Sequence, residues 1–426
     1  MLYNESMEKI SIAVIGGGAS GLMLVNALAE YNLTAATPLP KTVVFERGDR
    51  VGKKLSSTGN GQGNITNSAV LDTEYFSSER TTEQKIAAIL RAYDEEDMRA
   101  FWLRRGVLLI YDERGRAYPA GRQASALTDA LRFYATEKGV ELRTSAYVTD
   151  LKRMDGGFVL TYSKDGETHT CFAENVVLSV GGKAAKNFGT DGTSYALAQK
   201  FGHTCTPLYP SLVQLKTDTA HIKTLKGIRV NDGILTAKTP SGTYTVRGDI
   251  IFTDYGVSGD AVFRISAFIA QTIATGKVTL SIDFLPEYTQ DELRNVLSAK
   301  RNAYTSLDNS ELLFGVVNNQ IGRAVMKRAA SDFDSAAALM KDFTLPVTGS
   351  LGFDYAQVTK GGVPLSETDE MLRSRFTDGL YMTGEVLDVD GQCGGFNLQW
   401  AYSSACTVAA ALAEKYQKNG KGRDTV

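Results

Sequence analysis

Three kinds of hydrophobic spacing run along the chain. Residues 10–15 (ISIAVI) are a short continuous apolar run, the pattern of a strand buried on both faces. A polar, glycine-rich break follows, and LMLVNALAEY then resumes with apolar positions three and four apart, which predicts a helix. A second strand-like run, Thr42–Phe45, ends at Glu46. Residues 82–105 carry alternating charges on a helical spacing, with Met98, Phe101, Trp102 and Leu103 as core positions, and Ser125–Glu137 reads as another helix stopped by Gly139. From Val140 to Ser179 the pattern alternates around Asp155-Gly156-Gly157 and Lys164-Asp165-Gly166, a meander of short strands. Val176–Val180 then returns to a parallel sheet, and a helix is expected from Thr193 to Phe201, with Gly202-His203 as its stop or His203 lining a site.

Beyond Pro207 the pattern turns β-rich, with helices expected near 260–275 and 289–342, and it rejoins the first pattern near Leu345-Pro346. The last helix is expected from Asn397 to about Tyr416. The reading is an α/β fold: a Rossmann-like domain built from both chain ends (1–206 and 345–426) and a β-rich insert carrying helices (207–344).

The break between the first strand and helix is Gly16-Gly17-Gly18-Ala19-Ser20-Gly21, and Glu46 closes the unit at the length of a βαβ element. Each part has a physical use. Gly16 permits the tight turn, Gly18 lets the backbone approach a pyrophosphate, and Gly21 lets the helix lie close to the sheet. The helix N-terminus offers N–H groups and a positive dipole end to phosphate, and Glu46 can accept from an adenosine ribose while repelling a 2′-phosphate. A nicotinamide domain would continue with helix and strand. Here a polar segment follows instead, with Arg47, Lys54, Gly59, Asn60, Gly61, Gly63 and Asn64 as candidate contacts, suited to wrapping an extended, doubly charged cofactor.

Near the other end, Gly379–Glu385 reads as a strand ending in an acid, with Gly384 and Glu385 as candidate contacts. Gly394-Gly395-Phe396-Asn397 then opens a helix whose N–H groups suit the electron-rich edge of a reduced flavin. Gly182, after the returning strand, completes the cofactor set. Two dinucleotide elements at opposite ends of one chain favour FAD over a nicotinamide as the resident cofactor.

Composition narrows the picture further. Glycine occupies 41 of 426 positions, above the usual ~7 %, while proline numbers only 9, so the surplus belongs to specific turns and not to low complexity. Lys+Arg 46 against Asp+Glu 48 lacks the footprint of a nucleic-acid partner. Four scattered cysteines without a CxxC, and three histidines, argue against a dithiol centre and a metal site. The polar start and the absence of a run near the ~18 residues of a membrane span lead to the expectation of a cytoplasmic protein without a membrane partner; the oligomeric state is left open.

The blocks VIGGGASGLM, VGKKLSSTGNGQGNITN, GRAYPAGRQASALTDAL, GGKAAKNFGTDGTSYALAQKFGHTCTPLYPSLVQL, IIFTDYGVSGDAVFRIS, VTKGGVPLSE and GLYMTGEVLDVDGQCGGFNLQWAYSSA resemble the HI0933-like, or BaiN/YhiN-type, flavoproteins, some of them described as aminoacetone oxidases. The resemblance extends from residue 14 to 405. It implies an FAD domain built from both ends, a β-rich insert, and oxidoreductase activity on substrates that vary between members. Two departures stand out: glycine at 63 where relatives carry cysteine, and Asp260 where they carry proline.

The insert has no second GxGxxG, so a nicotinamide donor, NAD(P)H, is expected to bind transiently at the flavin face. Tyr255 and Arg264 are the catalytic candidates, with Ser258 beside them: a tyrosine can donate a proton to carbon, and an arginine can bind a carboxylate or polarise a carbonyl. The preferred activity is NAD(P)H-driven reduction of an activated C=C in a small molecule. Alternatives are a peroxide-forming amine oxidase and a flavoprotein that binds or modifies RNA.

Overall fold

The computed structural model describes residues 7–34, 38–72, 75–274 and 276–421, which divide into two compact units, 1–208 with 358–426, and 209–357. The first unit is built on a seven-stranded sheet. Its centre is β1 (Glu8–Ile15), parallel to β2 (Thr42–Phe45) on one side and to the Glu167–Leu178 strand on the other. Between β1 and β2 runs helix α1 (Ala19–Thr34). Ile12, Val14, Val43 and Val44 are fully buried, as a strand covered on both faces requires.

The meander and the returning strand are one element. Glu167–Ala173 pairs antiparallel with the hairpin partner Gly157–Lys164, while Cys171–Leu178 pairs parallel with β1. A single 12-residue strand thus serves both patterns. The hairpin turn has Asp165 and Gly166 both at positive φ (53° and 81°), the demand of a tight two-residue turn. Leu380–Met382 joins the same strand in parallel, bringing the C-terminal segment to the N-terminal unit.

Several expectations are corrected. The 82–105 pattern is two helices, Glu83–Ala92 and Glu95–Leu103, because Asp94 caps the second by accepting from the Glu96 and Asp97 N–H groups. Met98, Phe101 and Trp102 are buried, but Leu103 is 58 % exposed at the helix end. The helix expected from 193 to 201 is only Tyr195–Gln199, and the last helix runs further than expected, Phe396–Lys421.

The second unit is a closed six-stranded barrel in the order Leu215–Thr217, Gly256–Ser258, Gly242–Phe252, Arg229–Thr239, Thr279–Asp283, Phe343–Ser350, with helices Asp260–Ile273, Gln290–Ala303, Asn319–Arg328 and Phe333–Lys341. The Phe343–Ser350 strand closes this barrel by pairing with Thr279–Asp283 and Leu215–Thr217. The expected return at Leu345 therefore comes too early, and the unit extends to Gln357. Asp260, where proline was the family pattern, is the first residue of its helix; it bonds Arg264 at 2.9 Å and places negative charge at a helix N-terminus. Among the described residues no helix is long and apolar enough to cross a membrane.

Candidate functional site

The glycine-rich turn is fixed by close approaches. A methyl group added at Gly16 would stand 2.2 Å from the Ser179 carbonyl oxygen, and one at Gly21 would stand 2.1 Å from the Gly16 oxygen. At Gly18, by contrast, the added carbon meets nothing within 4 Å. Two glycines serve the fold, and the third faces open space in front of the α1 N-terminus. That is the cradle a pyrophosphate requires.

Glu46 is held at the end of β2 by two backbone donors, Gly17 N–H to Oε2 (2.9 Å) and Gly48 N–H to Oε1 (2.6 Å). Each oxygen keeps a lone pair for a further donor. The following segment bends through Gly52 and folds into single helical turns over Leu55–Gly61, in which Gly59 and Asn60 are left-handed (φ 57° and 54°). Residues 60–62 are exposed, and a carbon added at Gly61 again meets nothing. Gly63 is buried at φ 78°, where an added carbon would come within 2.8 Å of Leu127. Asn64 spends its amide on the Thr66 and Ala117 carbonyls, so it holds the loop in shape. Arg47 reaches Asp191 at 3.1 Å and lies over the Tyr147 ring; its charge and the Thr193 donors pull the Asp191 carboxyl down to about 2 despite partial burial.

The C-terminal segment arrives at the same turn. Gly384 is left-handed (φ 72°), and a carbon there would stand 2.6 Å from Ser20 Oγ in the first turn of α1. Ser179 and Thr383 share a hydroxyl bond of 2.7 Å beneath. Glu385 accepts from Lys54 Nζ (2.9 Å) and from the Thr359 N–H (2.8 Å). A carbon added at Gly182 would fall 2.8 Å from that carboxylate and 2.5 Å from Thr359 Oγ1. Further on, Gly394 and Gly395 (φ 129° and 102°) swing the chain into the last helix, and Gly395 passes so close to Thr66 that a side chain would meet its carbonyl at 2.3 Å. Asn397 clamps the preceding loop, accepting from Gly391 N–H and donating to the Gly391 and Gln392 carbonyls. Phe396 packs edge-on against Tyr75.

The fold thus brings residues 16–21, 46–64, 182 and 384–397 together within the first unit. An FAD fits this set: open backbone at Gly18, the free first turn of α1, a held acid at Glu46, and a second helix N-terminus at Phe396. The catalytic candidates lie in the second unit. Arg264 is committed there to Asp260 and to the Arg247 carbonyl, and Tyr255 offers its carbonyl to Thr217 N–H. His203 does not line a site: it is buried, bonded to Glu367 (3.0 Å) and Ser374 (2.7 Å), and it braces two loops. Among the described residues no group of acids, cysteines and histidines is placed to hold a metal.

Sequence reasoning missed Thr359, whose hydroxyl accepts from the Lys183 and Ala184 N–H groups, and the buried acids Asp388 and Asp390. Their block signalled resemblance, but nothing in spacing tells that these chains meet.

The HI0933-like protein Rossmann domain matches residues 10–411. The chain belongs to this family. A 3-dehydro-bile acid Δ(4,6)-reductase of Clostridium scindens is 31 % identical over 95 % of this chain and 99 % of its own. A ribosomal RNA dihydrouridine synthase of Escherichia coli is 28 % identical over 95 % and 98 %. Among solved structures, a 3-ketosteroid-Δ4-(5α)-dehydrogenase of Rhodococcus jostii matches with TM-score 0.50 at 15 % identity, covering 94 % of this chain and 97 % of that one, a likeness of fold. The protein is an FAD-dependent oxidoreductase of the HI0933-like family.

Proposed function

We propose that this protein takes hydride from NAD(P)H and saturates a C=C bond conjugated to a carbonyl in a small polycyclic or enone-type molecule. The observation that carries the reading is the near full-length 31 % identity to a Δ(4,6)-reductase. The Escherichia coli relative supports the chemistry from another side, since making dihydrouridine also saturates a C=C next to a carbonyl. The amine-oxidase alternative has no counterpart in either activity. Four scattered cysteines without a CxxC suit a reducing compartment, and we place the protein in the cytoplasm.

FAD, when bound, supplies the two-electron chemistry. The chain's own groups do the rest. The Gly18 backbone and the first turn of α1 hold the pyrophosphate, Glu46 receives a ribose hydroxyl, and the Gly394–Phe396 turn offers N–H groups to negative charge. Tyr255 and Arg264 stand as proposed contacts to substrate, Arg264 through the guanidinium donors that Asp260 leaves unused.

Anaerobic mixing of the purified protein with NADH and with NADPH is expected to bleach the flavin, and a steroid-type enone is expected to restore its colour. No bleaching with either nucleotide overturns the donor assignment. A second reading, an RNA substrate, follows from the dihydrouridine synthase relative. The balanced charge favours the small molecule, because phosphate-backbone binding draws on a cationic surplus. Dihydrouridine formed in unmodified ribosomal RNA, with no turnover of enones, decides for RNA.

A further inference from the structure

The stretch from Glu385 to Asp390 carries three carboxylates: Glu385, Asp388 and Asp390. Two have a cation bonded to them. Lys54 bonds Glu385 at 2.9 Å, and Lys360 stands 3.2 and 3.4 Å from the two oxygens of Asp390, which is fully buried. Asp388, 1 % exposed, has none. Its Oδ2 accepts twice from Ser78, through N–H (3.0 Å) and through Oγ, while its Oδ1 is buried without a hydrogen-bond partner.

A buried carboxylate with one bare oxygen and no bonded cation is among the least stable arrangements in a protein, and neutralisation by a proton is the usual escape. The groups around Asp388 reinforce this. Glu79 adds negative charge from the Ser78 side, and Lys360 opposes it from a position already committed to Asp390. Tyr195 and Cys205, within electrostatic reach of Asp388, stay uncharged, since burial pushes both of them up. Burial likewise raises the Asp388 carboxyl above the ordinary carboxylate range. The neutral acid has a place for its hydrogen: an Oδ2 hydroxyl can donate to Ser78 Oγ while Oδ2 still accepts from the Ser78 N–H, which leaves Oδ1 a bare carbonyl oxygen.

We propose that Asp388 stands as the neutral carboxylic acid and acts as a positioning residue that keeps the 385–390 stretch electrically balanced against the negative charge the site gains when FAD is reduced. The inference rests on the FAD reading for its consequence, but not for the protonation state itself. With Asp388 neutral, two acids face two ammonium groups and the stretch adds no net charge to the site. With Asp388 ionised, the stretch carries a surplus negative charge, which opposes reduction of anything bound beside it.

The test is infrared difference spectroscopy between the purified wild-type protein and Asp388→Asn at neutral pH. The carbonyl band of a protonated acid is expected in the wild type and lost in the variant; loss of carboxylate bands instead overturns the proposal. The flavin midpoint potential, measured against pH in both proteins, tests the consequence. The two curves are expected to keep a constant separation at acid pH and to diverge where Asp388 ionises, the wild type falling more steeply. A constant separation throughout overturns the balancing role. Should Asp388→Asn fail to fold, the acid band in the wild type together with its survival in Ser78→Ala supports the protonation state, and its absence from both overturns it. Purified protein that holds no flavin would refute the cofactor reading alone, since the infrared arm needs none.

Discussion

Lys54 and Glu385 meet at 2.9 Å across 331 residues of chain, joining the loop after β2 to the end of the last parallel strand. Both side chains are largely buried, 26 % and 20 % exposed, and Glu385 has a second donor in the Thr359 N–H. The pair ties the N-terminal half of the candidate cofactor site to its C-terminal half. Glu385→Ala removes the acceptor of both donors and is expected to destabilise the first unit by about 1–3 kcal/mol, with weaker flavin retention. Lys54→Met is expected to be milder. Urea unfolding of the two single variants and the double variant checks this; fully additive effects would show that the pair does not couple.

Gly18 and Gly21 belong to one motif yet predict opposite phenotypes. Gly18→Val places its side chain in open space, so the protein is expected to fold normally and to lose FAD. Gly21→Val drives a carbon into the Gly16 carbonyl and is expected to compromise folding itself. Flavin content per folded protein, with circular dichroism as the folding control, separates the two; full flavin in Gly18→Val would refute the site.

His203 predicts a pH dependence. Ser374 Oγ accepts from the Phe376 and Thr377 N–H groups, so its own hydrogen points at His203 Nε2, and Nδ1–H donates to Glu367. The imidazole is therefore neutral in the fold, and burial holds its pKa below the ordinary 6.5, against the pull of Glu367. In the window below that value the unfolded chain binds the proton first, so stability is full above it and falls on acidification until the folded form titrates too. Wild type is expected to lose more stability than His203→Gln between pH 7 and pH 5. Parallel losses in denaturant titrations would contradict the assignment.

Arg105 is a buried brace. Its side chain is 1 % exposed, bonded to Asn26, Glu30 and the Phe101 carbonyl, and stacked on Phe101. Arg105→Ala leaves Glu30 and Asn26 short of a partner and opens a cavity, and is expected to cost about 3–5 kcal/mol, read as a lowered thermal midpoint with unchanged flavin spectrum in the folded fraction.

The sequence by itself determined what depends on neighbours in the chain. Strand, glycine turn, helix and terminal acid at 10–46, the Asp165-Gly166 hairpin and the glycine-started final helix are all local, because backbone sterics and periodic burial are written residue by residue. It also singled out Gly18, whose backbone faces open space, and Glu46, which two backbone donors hold at the end of β2. Tertiary structure decided what depends on distant partners. One strand from Glu167 to Leu178 joins antiparallel and parallel partners in one sheet because its two ends pair with different neighbours. Phe343–Ser350 belongs to the barrel because only closure reveals its partners. Asn64 and Asn397 turn inward to hold loops, and Asp388 is left without a cation, because hydrogen bonds and charge pairing are settled in space, between segments hundreds of residues apart.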